Sequence, residues 1–179
     1  MFSTVPNDTT VRDARDDERA AIRALTLRAY AEISEVMAPS AWAGLERVLH
    51  ERLGAEGEFA RIVAERAGAL VGSVQLYPPE SDAYGGEVAP VRWPEVRLLA
   101  VAPEARGLGI ARLLMDECIR RARAMGATEI GLHTSESLRD AVRLYERMGF
   151  ERVPANDFHP EGGELVRAYR LPIGGEAVP

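Results

Sequence analysis

The sequence has few of the residues that build disulfides, metal sites or membrane spans. Its one cysteine, Cys118, cannot form a disulfide within the chain, and its three histidines follow no recognised metal-ligand spacing. No apolar run is long enough to cross a bilayer, and the first ten residues lack the basic start and apolar segment of a signal peptide. We therefore expect a cytoplasmic protein with no metal and no membrane association.

The chain also lacks an excess of positive charge. Its formal net charge is -6 and its pI is about 5.2, whereas a general nucleic-acid binder needs a basic face for phosphate contacts. We expect no nucleic-acid partner. A length of 179 residues, 46% of them hydrophobic, suits one domain with a real core. We expect that domain at 10–172, between flexible tails at 1–9 and 173–179.

Apolar residues at helical spacing indicate two helices near the N-terminus, after a short strand at 10–14. Asp16 or Asp17 is placed to cap the first helix, and the second is expected to start at Ser40 and end at Gly54. The apolar positions are Ile22, Leu25, Ala29 and Ile33 in the first helix and Trp42, Leu45, Leu49 and Leu53 in the second.

The rest of the chain alternates between strand and helix patterns. Runs at 59–66 and 69–77 predict a hairpin, and further strands are predicted at 95–101, 128–134, 150–153 and 164–171. Helices are predicted from Gly109 and over 137–148, and the loop at 78–90 is expected to be disordered or to face a substrate. This order predicts a single α+β domain with a mixed central sheet and helices on both faces.

The junction between the strand ending at Val101 and the next helix is rich in glycine and arginine. Gly107 and Gly109 allow backbone amides to approach a phosphate, and the helix N-terminus offers free N–H groups and a favourable dipole. Arg106 and Arg112 add positive charge. The pattern predicts an anion site, although an ordinary turn with surface arginines is the alternative.

The spacing of this junction fits neither common phosphate loop. GxxxxGK[ST] is absent, and Arg112 stands where GxGxxG has its third glycine. The segment "RGLGIA" resembles the acyl-CoA loop [QR]xxGx[GA] of the GNAT superfamily of N-acetyltransferases, through Arg106, Gly109 and Ala111. The segment "LYERMGF" resembles a second motif of that family. The resemblance runs from about Phe59 onward and implies a GNAT-like fold.

The resemblance also implies acetyl-CoA as co-substrate. The backbone of Leu99, Ala100 and Val101 would then contact the pantetheine arm, and the following loop would offer backbone N–H groups to the pyrophosphate. The loop residues so implied, besides the motif residue Arg106, are Gly107, Leu108, Gly109, Ile110, Ala111 and Arg112.

Acetyl transfer to an amine needs a base, because an alkyl ammonium has a pKa of about 10.4. The resemblance implies Glu95 in that role, directly or through water. Strand alternation predicts that Glu95, Arg97, Leu99 and Val101 share one face. The alternative is a surface ion pair of Glu95 with Arg92 or Arg97.

Tyr145 occupies the position at which the family often has a tyrosine that protonates the sulfur of coenzyme A. Its helical face also fits an aromatic residue of the core. Leu138 departs from the family pattern, which often has an asparagine there, so a polar contact to the pantetheine is missing.

Other conspicuous side chains have ordinary explanations. Cys118 is expected to be a small buried hydrophobe, and Tyr30, Trp42 and Trp93 are expected to line the core or the cleft. His133 either touches substrate or coenzyme or makes a structural hydrogen bond at a strand end.

Together these features predict an N-acetyltransferase that is a monomer or homodimer. It would move an acetyl group from acetyl-CoA to a primary amine of a small molecule or a peptide N-terminus. The alternative is a catalytically inactive CoA-binding sensor or interaction module. Glu95 and Tyr145 favour the enzyme, because a degenerate site is expected to lack both.

Overall fold

The computed structural model describes residues 8–161 and 163–174. Over these residues the chain forms a seven-stranded mixed sheet with four α-helices, which confirms the α+β class and the single domain expected from the sequence. The tails predicted at 1–9 and 173–179 lie mostly outside the described residues, so the tail boundaries stay predictions.

The strands follow the order β1-β2-β3-β4-β5-β7-β6 across the sheet. Strands β4 and β5 pair in parallel, and every other neighbouring pair in this sheet is antiparallel. The predicted hairpin is confirmed as β2 and β3. The bounds are β1 Thr9–Asp13, β2 Ala60–Arg66, β3 Ala69–Tyr77, β4 Glu95–Val101, β5 Glu129–Ser135, β6 Glu151–Arg152 and β7 Val166–Pro172.

The helices cover both faces of the sheet, as predicted. Successive residues of a strand point to opposite faces. A Cβ on Gly72 would meet Ile110 and Leu114 of α3, whereas the hydroxyl of Ser73 contacts that of Thr26 in α1 at 3.2 Å. The bounds are α1 Arg19–Ala31, α2 Pro39–Gly54, α3 Ile110–Ala124 and α4 Arg139–Arg147.

The start of the first helix differs from the prediction. Asp16 and Asp17 lie inside a 3₁₀ turn, and neither side chain caps α1. The carboxylate of Glu18 accepts the backbone N–H of Arg15 at 2.7 Å and is bound by the guanidinium of Arg12. The side chain of Glu18, one residue after Asp17, therefore accepts the backbone N–H that precedes the helix.

The loop between β3 and β4 is anchored by apolar packing. Ala83 and Tyr84 are buried in a small cluster with Tyr77, and Phe59 and Phe158 pack against it. Disorder, one of the two expectations for 78–90, is therefore wrong for this part of the loop. The sequence pattern missed it because the anchoring contacts come from distant segments.

Candidate functional site

The sheet opens between β4 and β5. These parallel strands pair only at Glu95 with Gly131 and at Val96 with Leu132, and they diverge beyond that point. Leu98 has φ 52°, in the left-handed region that a leucine rarely adopts. The backbone of β4 after Val96 therefore faces an open notch instead of a strand.

A bulge in β4 changes which side chains share a face. Arg97 pairs with Gln75 and Ala100 pairs with Ser73, so three steps on β4 match two on β3. Ala100 therefore lies on the face of Arg97, and Leu99 lies on the other. The prediction that Glu95, Arg97, Leu99 and Val101 share one face is wrong beyond Arg97, because the extra residue reverses the alternation.

The backbone predicted to hold the pantetheine arm lies along this notch. The stretch 99–101 is bonded to β3 on one side and is unpaired with β5 on the other. The hydroxyl of Tyr30, from α1, donates to the carbonyl of Leu99 at 3.2 Å. Tyr30 is thus a wall of the notch, as the sequence suggested, and burial raises the pKa of its hydroxyl to about 12.

The loop after β4 presents a row of backbone donors. Gly107 and Gly109 have φ 77° and 78°, and Gly109 leads directly into α3. Among the described residues, no carbonyl or side chain accepts a hydrogen bond from the amides of 107–112. The helical hydrogen bonds of α3 begin with Leu113 N–H to Gly109 O at 3.1 Å. Six consecutive free N–H groups at a helix N-terminus form a site for an anion.

The two arginines of the loop have protein partners. Arg106 donates to the carbonyl of Ala29 at 3.0 Å and pairs with Glu32, so it ties the loop to the end of α1. Arg112 pairs with Asp116 one turn along α3, at 2.9 Å. The cradle therefore depends on backbone amides and the helix dipole more than on free guanidinium groups.

Glu95 lies in the floor of the open region, and its carboxylate is enclosed. The residue is 3% exposed. The Tyr84 hydroxyl donates to Oε2 at 2.7 Å, and Trp93 Nε1 donates to Oε1 at 2.8 Å. His133 Nδ1 lies 3.3 Å from Oε2. The alternative of an ion pair with Arg92 or Arg97 is wrong, since the Glu95 carboxylate contacts these three groups instead.

The partners of Glu95 are themselves held. His133 Nε2 donates to the carbonyl of Asn156 at 3.0 Å, and its side chain is 2% exposed. The guanidinium of Arg97 lies 3.9 Å from the centre of the Tyr84 ring. Burial and the adjacent Glu95 raise the pKa of Tyr84 well above its usual value, so the hydroxyl stays a donor.

Tyr84 and Trp93 are site residues that sequence reasoning missed. Tyr84 was part of a loop without a pattern, and Trp93 was assigned to a wall. One signal for Trp93 was its place two residues before Glu95, in the loop that leads into β4. No sequence signal placed Tyr84, whose contact depends on the path of the whole loop.

Tyr145 is buried on α4, and its ring packs 5.7 Å from that of Phe150. Burial, with Tyr30 and Cys118 nearby, raises the pKa of its hydroxyl far above the usual value. Cys118 is a small buried side chain, as expected, and burial raises the pKa of its thiol to about 12. The tyrosine thus keeps its proton and the thiol is a poor nucleophile.

A cleft of about 330 Å³ lies at the end of β3, one strand away from Glu95. Its floor includes Tyr77, which pairs directly with Glu95 in the β3–β4 register and stacks on Phe59 at 4.4 Å. Four acidic residues and one arginine line it, and one of the four, Glu56, is paired with Arg19. The charged lining residues are Arg52, Glu56, Glu58, Glu80 and Asp82.

Neither a metal cluster nor a membrane span is found in the described part of the chain. Over 8–161 and 163–174, no three His, Cys, Asp or Glu side chains are grouped to hold a metal ion. No helix within these same ranges has both the length and the apolar character to cross a bilayer.

Comparison with known proteins finds acetyltransferases. The sequence model described as the "Acetyltransferase (GNAT) family" matches residues 21–150. A mycothiol acetyltransferase of Thermobispora bispora is 34% identical over 80% of this chain and 45% of its own length. One from Acidothermus cellulolyticus is 33% identical over 89% of this chain and 50% of its own length. The chain spans half or less of the length of the curated relatives it matches.

Solved structures with similar folds are also acetyltransferases. The ribosomal-protein-S18-alanine N-acetyltransferase of Escherichia coli superposes with a TM-score of 0.64 at 18% identity, over 95% of this chain and 97% of that one. A GNAT family acetyltransferase of Brucella melitensis, solved with acetyl-CoA, gives 0.58 at 20% identity, over 94% and 90%. At these identities the likeness shows the fold.

Proposed function

Because this chain belongs to the GNAT family of acetyltransferases, we propose that it transfers an acetyl group from acetyl-CoA to a primary amine of a small molecule or peptide. The observation that carries this proposal is the row of six free amides at 107–112, beside the notch between β4 and β5. A diphosphate satisfies such donors, and the notch continues from them along β4 to Glu95.

The residues present fit coenzyme A. The backbone N–H groups of Gly107, Leu108, Gly109, Ile110, Ala111 and Arg112 would hold the pyrophosphate. The unpaired edge of β4 at Leu99, Ala100 and Val101 would bind the amide groups of the pantetheine arm as a strand does. Arg106 supports the loop from behind through Ala29. When bound, acetyl-CoA supplies the acetyl thioester.

Glu95 and Tyr145 would handle the protons. The amine nitrogen forms the new C–N bond only after its ammonium proton has left, and in this proposal Glu95 receives that proton, directly or through water. The C–S bond breaks as the thiolate departs, and in this proposal the hydroxyl of Tyr145, which burial keeps neutral, protonates the thiolate. The nitrogen keeps one hydrogen in the amide, so it gives up a second proton once the C–N bond has formed. That proton restores the Tyr145 hydroxyl through solvent, and Glu95 passes the first proton to solvent.

The acidic cleft supports a cationic acceptor. Its lining carries four carboxylates, one of them paired with Arg19, against one guanidinium, and its floor includes Tyr77, the β3 partner of Glu95. An ammonium is attracted to such a surface before it loses its proton. A primary amine is therefore favoured over an anionic or apolar acceptor.

The test is an acceptor screen with a base-deficient variant. Release of free thiol from acetyl-CoA is followed with a panel of amino acids, polyamines and peptides. Since the chain contains no lysine, acetyl-lysine found by mass spectrometry comes from the acceptor. Glu95→Gln should lower turnover about 10²-fold near neutral pH and recover at high pH, where the amine deprotonates unaided.

The control is Glu151→Gln, which removes an exposed carboxylate on β6. It should behave as wild type. Tight binding of coenzyme A with no acceptor turned over would favour the inactive binding module. A pH-rate profile of Glu95→Gln identical to that of wild type would remove Glu95 from the mechanism.

A further inference from the structure

The enclosure of Glu95 leaves no free approach for an acceptor. Both carboxylate oxygens have partners among Tyr84, Trp93 and His133, and the residue is 3% exposed. An ammonium that gives its proton to this carboxylate, or to a water on it, must first take the place of one partner. The structure indicates which partner can leave.

Trp93 is fixed in place. Its Nε1 lies so close to β5 that a Cβ on Gly131 would stand 2.2 Å from it. The guanidinium of Arg170 lies 5.6 Å from the centre of the indole, and the next residue, Pro94, is fully buried at the start of β4. The indole cannot turn away without moving the strand that carries Glu95.

His133 is fixed as well. It lies inside β5, where its backbone pairs with Ala168 of β7. Its Nε2 is bonded to the carbonyl of Asn156, and the Phe158 ring packs against its edge at 5.5 Å. A side chain bonded through Nε2 and only 2% exposed does not open a path.

Tyr84 is the partner that can move. It belongs to the middle of the long connection between Tyr77 and Glu95, which forms no helix or strand, whereas Trp93 lies in the same connection but only two residues before β4. Gly85 and Gly86 follow it directly with φ 65° and 83°, so the chain has glycine pivots beside the ring. The loop is held near Glu95 by the hydrogen bond from Arg97 to the carbonyl of Ala83 at 2.5 Å, and by the packing of the Tyr84 ring against Arg97, His133 and Phe158.

We infer that the acceptor amine binds Glu95 by replacing the hydroxyl of Tyr84, so that Tyr84 determines which acceptors reach the base. This inference rests on the proposed function. An ammonium forms a charge-assisted hydrogen bond to the carboxylate, which is stronger than the bond from a neutral hydroxyl. A neutral or poorly placed acceptor forms too weak a hydrogen bond with Glu95 to displace Tyr84. Tyr84 therefore selects acceptors that present a well-placed ammonium group.

The kinetic test is Tyr84→Phe, which keeps the ring over Arg97 and removes the competing hydroxyl. The KM for the acceptor should fall about tenfold, the equivalent of one hydrogen bond to a charged group, while kcat stays close to wild type. The matched control is Tyr169→Phe, a buried tyrosine on β7 that should leave both constants unchanged. An unchanged KM would overturn the inference. A lowered kcat would also overturn it, because the hydroxyl would then take part in proton transfer.

A second measurement does not depend on turnover. The five tyrosines are labelled as 3-fluorotyrosine, and the Tyr84 resonance is assigned by its loss in Tyr84→Phe. Titration of the coenzyme A complex with n-butylammonium should shift the Tyr84 signal and leave that of Tyr169 unchanged. A shift without any acetyl transfer would support the inference while the proposed function fails. Acetyl transfer to butylamine without a shift of the Tyr84 signal would overturn the inference and leave the proposed function intact. The absence of both a shift and acetyl transfer would overturn the inference and the proposed function.

Discussion

Gly131 on β5 is the position at which one added methyl group should do most damage to the site. It pairs with Glu95 across the β4–β5 register. A Cβ there would lie 2.2 Å from Trp93 Nε1 and 2.7 Å from Glu95 Oε1. Neither is the loose end of a flexible side chain, since the indole is rigid and the carboxylate is held by other partners. Gly131→Ala must therefore push Trp93 and Glu95 apart.

The expected cost follows from the two contacts that change. Loss of a hydrogen bond to a charged acceptor costs about 1.5–3 kcal/mol, and overpacking of a close-packed site typically costs about 1–3 kcal/mol. We expect a loss of unfolding free energy of roughly 2–5 kcal/mol. In a domain of this size that lowers the melting temperature by roughly 5–15 °C. Turnover should fall too, because Glu95 loses the donor that orients Oε1.

The assay is thermal unfolding of Gly131→Ala beside Gly44→Ala. Gly44 lies inside α2, and nothing would stand within 4 Å of its added Cβ. That control should gain about 0.5–1 kcal/mol, since alanine favours helix over glycine. A melting temperature and turnover of Gly131→Ala equal to wild type would show that Trp93 and Glu95 can separate freely, and the account of an enclosed carboxylate would then be wrong.

Three further variants test the cradle, the acid and the N-terminal ion pair. Gly109→Leu should weaken coenzyme A binding severely in calorimetry. Gly126→Leu places the same strain, at φ 78°, at the other end of α3 and should bind coenzyme A normally. Equal losses of affinity in the two variants would assign the effect to backbone strain. Tyr145→Phe should lower turnover about 10- to 10³-fold with unchanged melting temperature and coenzyme affinity, and undiminished turnover at saturating acetyl-CoA would remove the acid role. The hydrogen bond from Arg12 lowers the pKa of Glu18 from 4.5 to about 2, so its stabilisation is complete above pH 4.5 and is lost as pH falls towards 2. Urea unfolding should show a flatter acid slope in Glu18→Gln, and parallel slopes would contradict that linkage.

Most elements of the fold were predictable because their signals are local. Alternating runs located β2, β3 and β4, and a helical stripe with a preceding glycine located α3. The start of α2 at Pro39 rather than Ser40 fits the preference of proline for the first turn of a helix. Such signals depend on a few neighbouring residues, and tertiary contacts did not override them.

The bulge in β4 was not predictable in the same way. Nothing in the local pattern distinguishes Leu98 from an ordinary strand residue, yet it adopts φ 52°. Its conformation is fixed by the pairing of Arg97 with Gln75 and of Ala100 with Ser73 on the neighbouring strand. Register between strands is a tertiary property, so the reversal of faces after Arg97 lay outside what period-two reasoning reaches.

The surroundings of Glu95 show the same limit at the site. The residue itself was found through the family resemblance and its strand position. Two of its partners, Tyr84 and Trp93, come from the β3–β4 loop, and the third, His133, comes from β5. Separate segments meet there because the sheet brings them together, which no single stretch of sequence encodes.

The anion cradle also shows why overall charge was a weak guide to the ligand. A protein with a net charge of -6 is unsuited to binding polyphosphates through a basic face. Here the donors are backbone amides of 107–112, and both nearby arginines are paired with carboxylates. Amides at a helix N-terminus create a positive potential that decays within about one turn, so it attracts an anion locally whatever the net charge of the protein. Under the proposed function, the site for the anionic co-substrate and the base for the acceptor amine would lie at the two ends of the same strand.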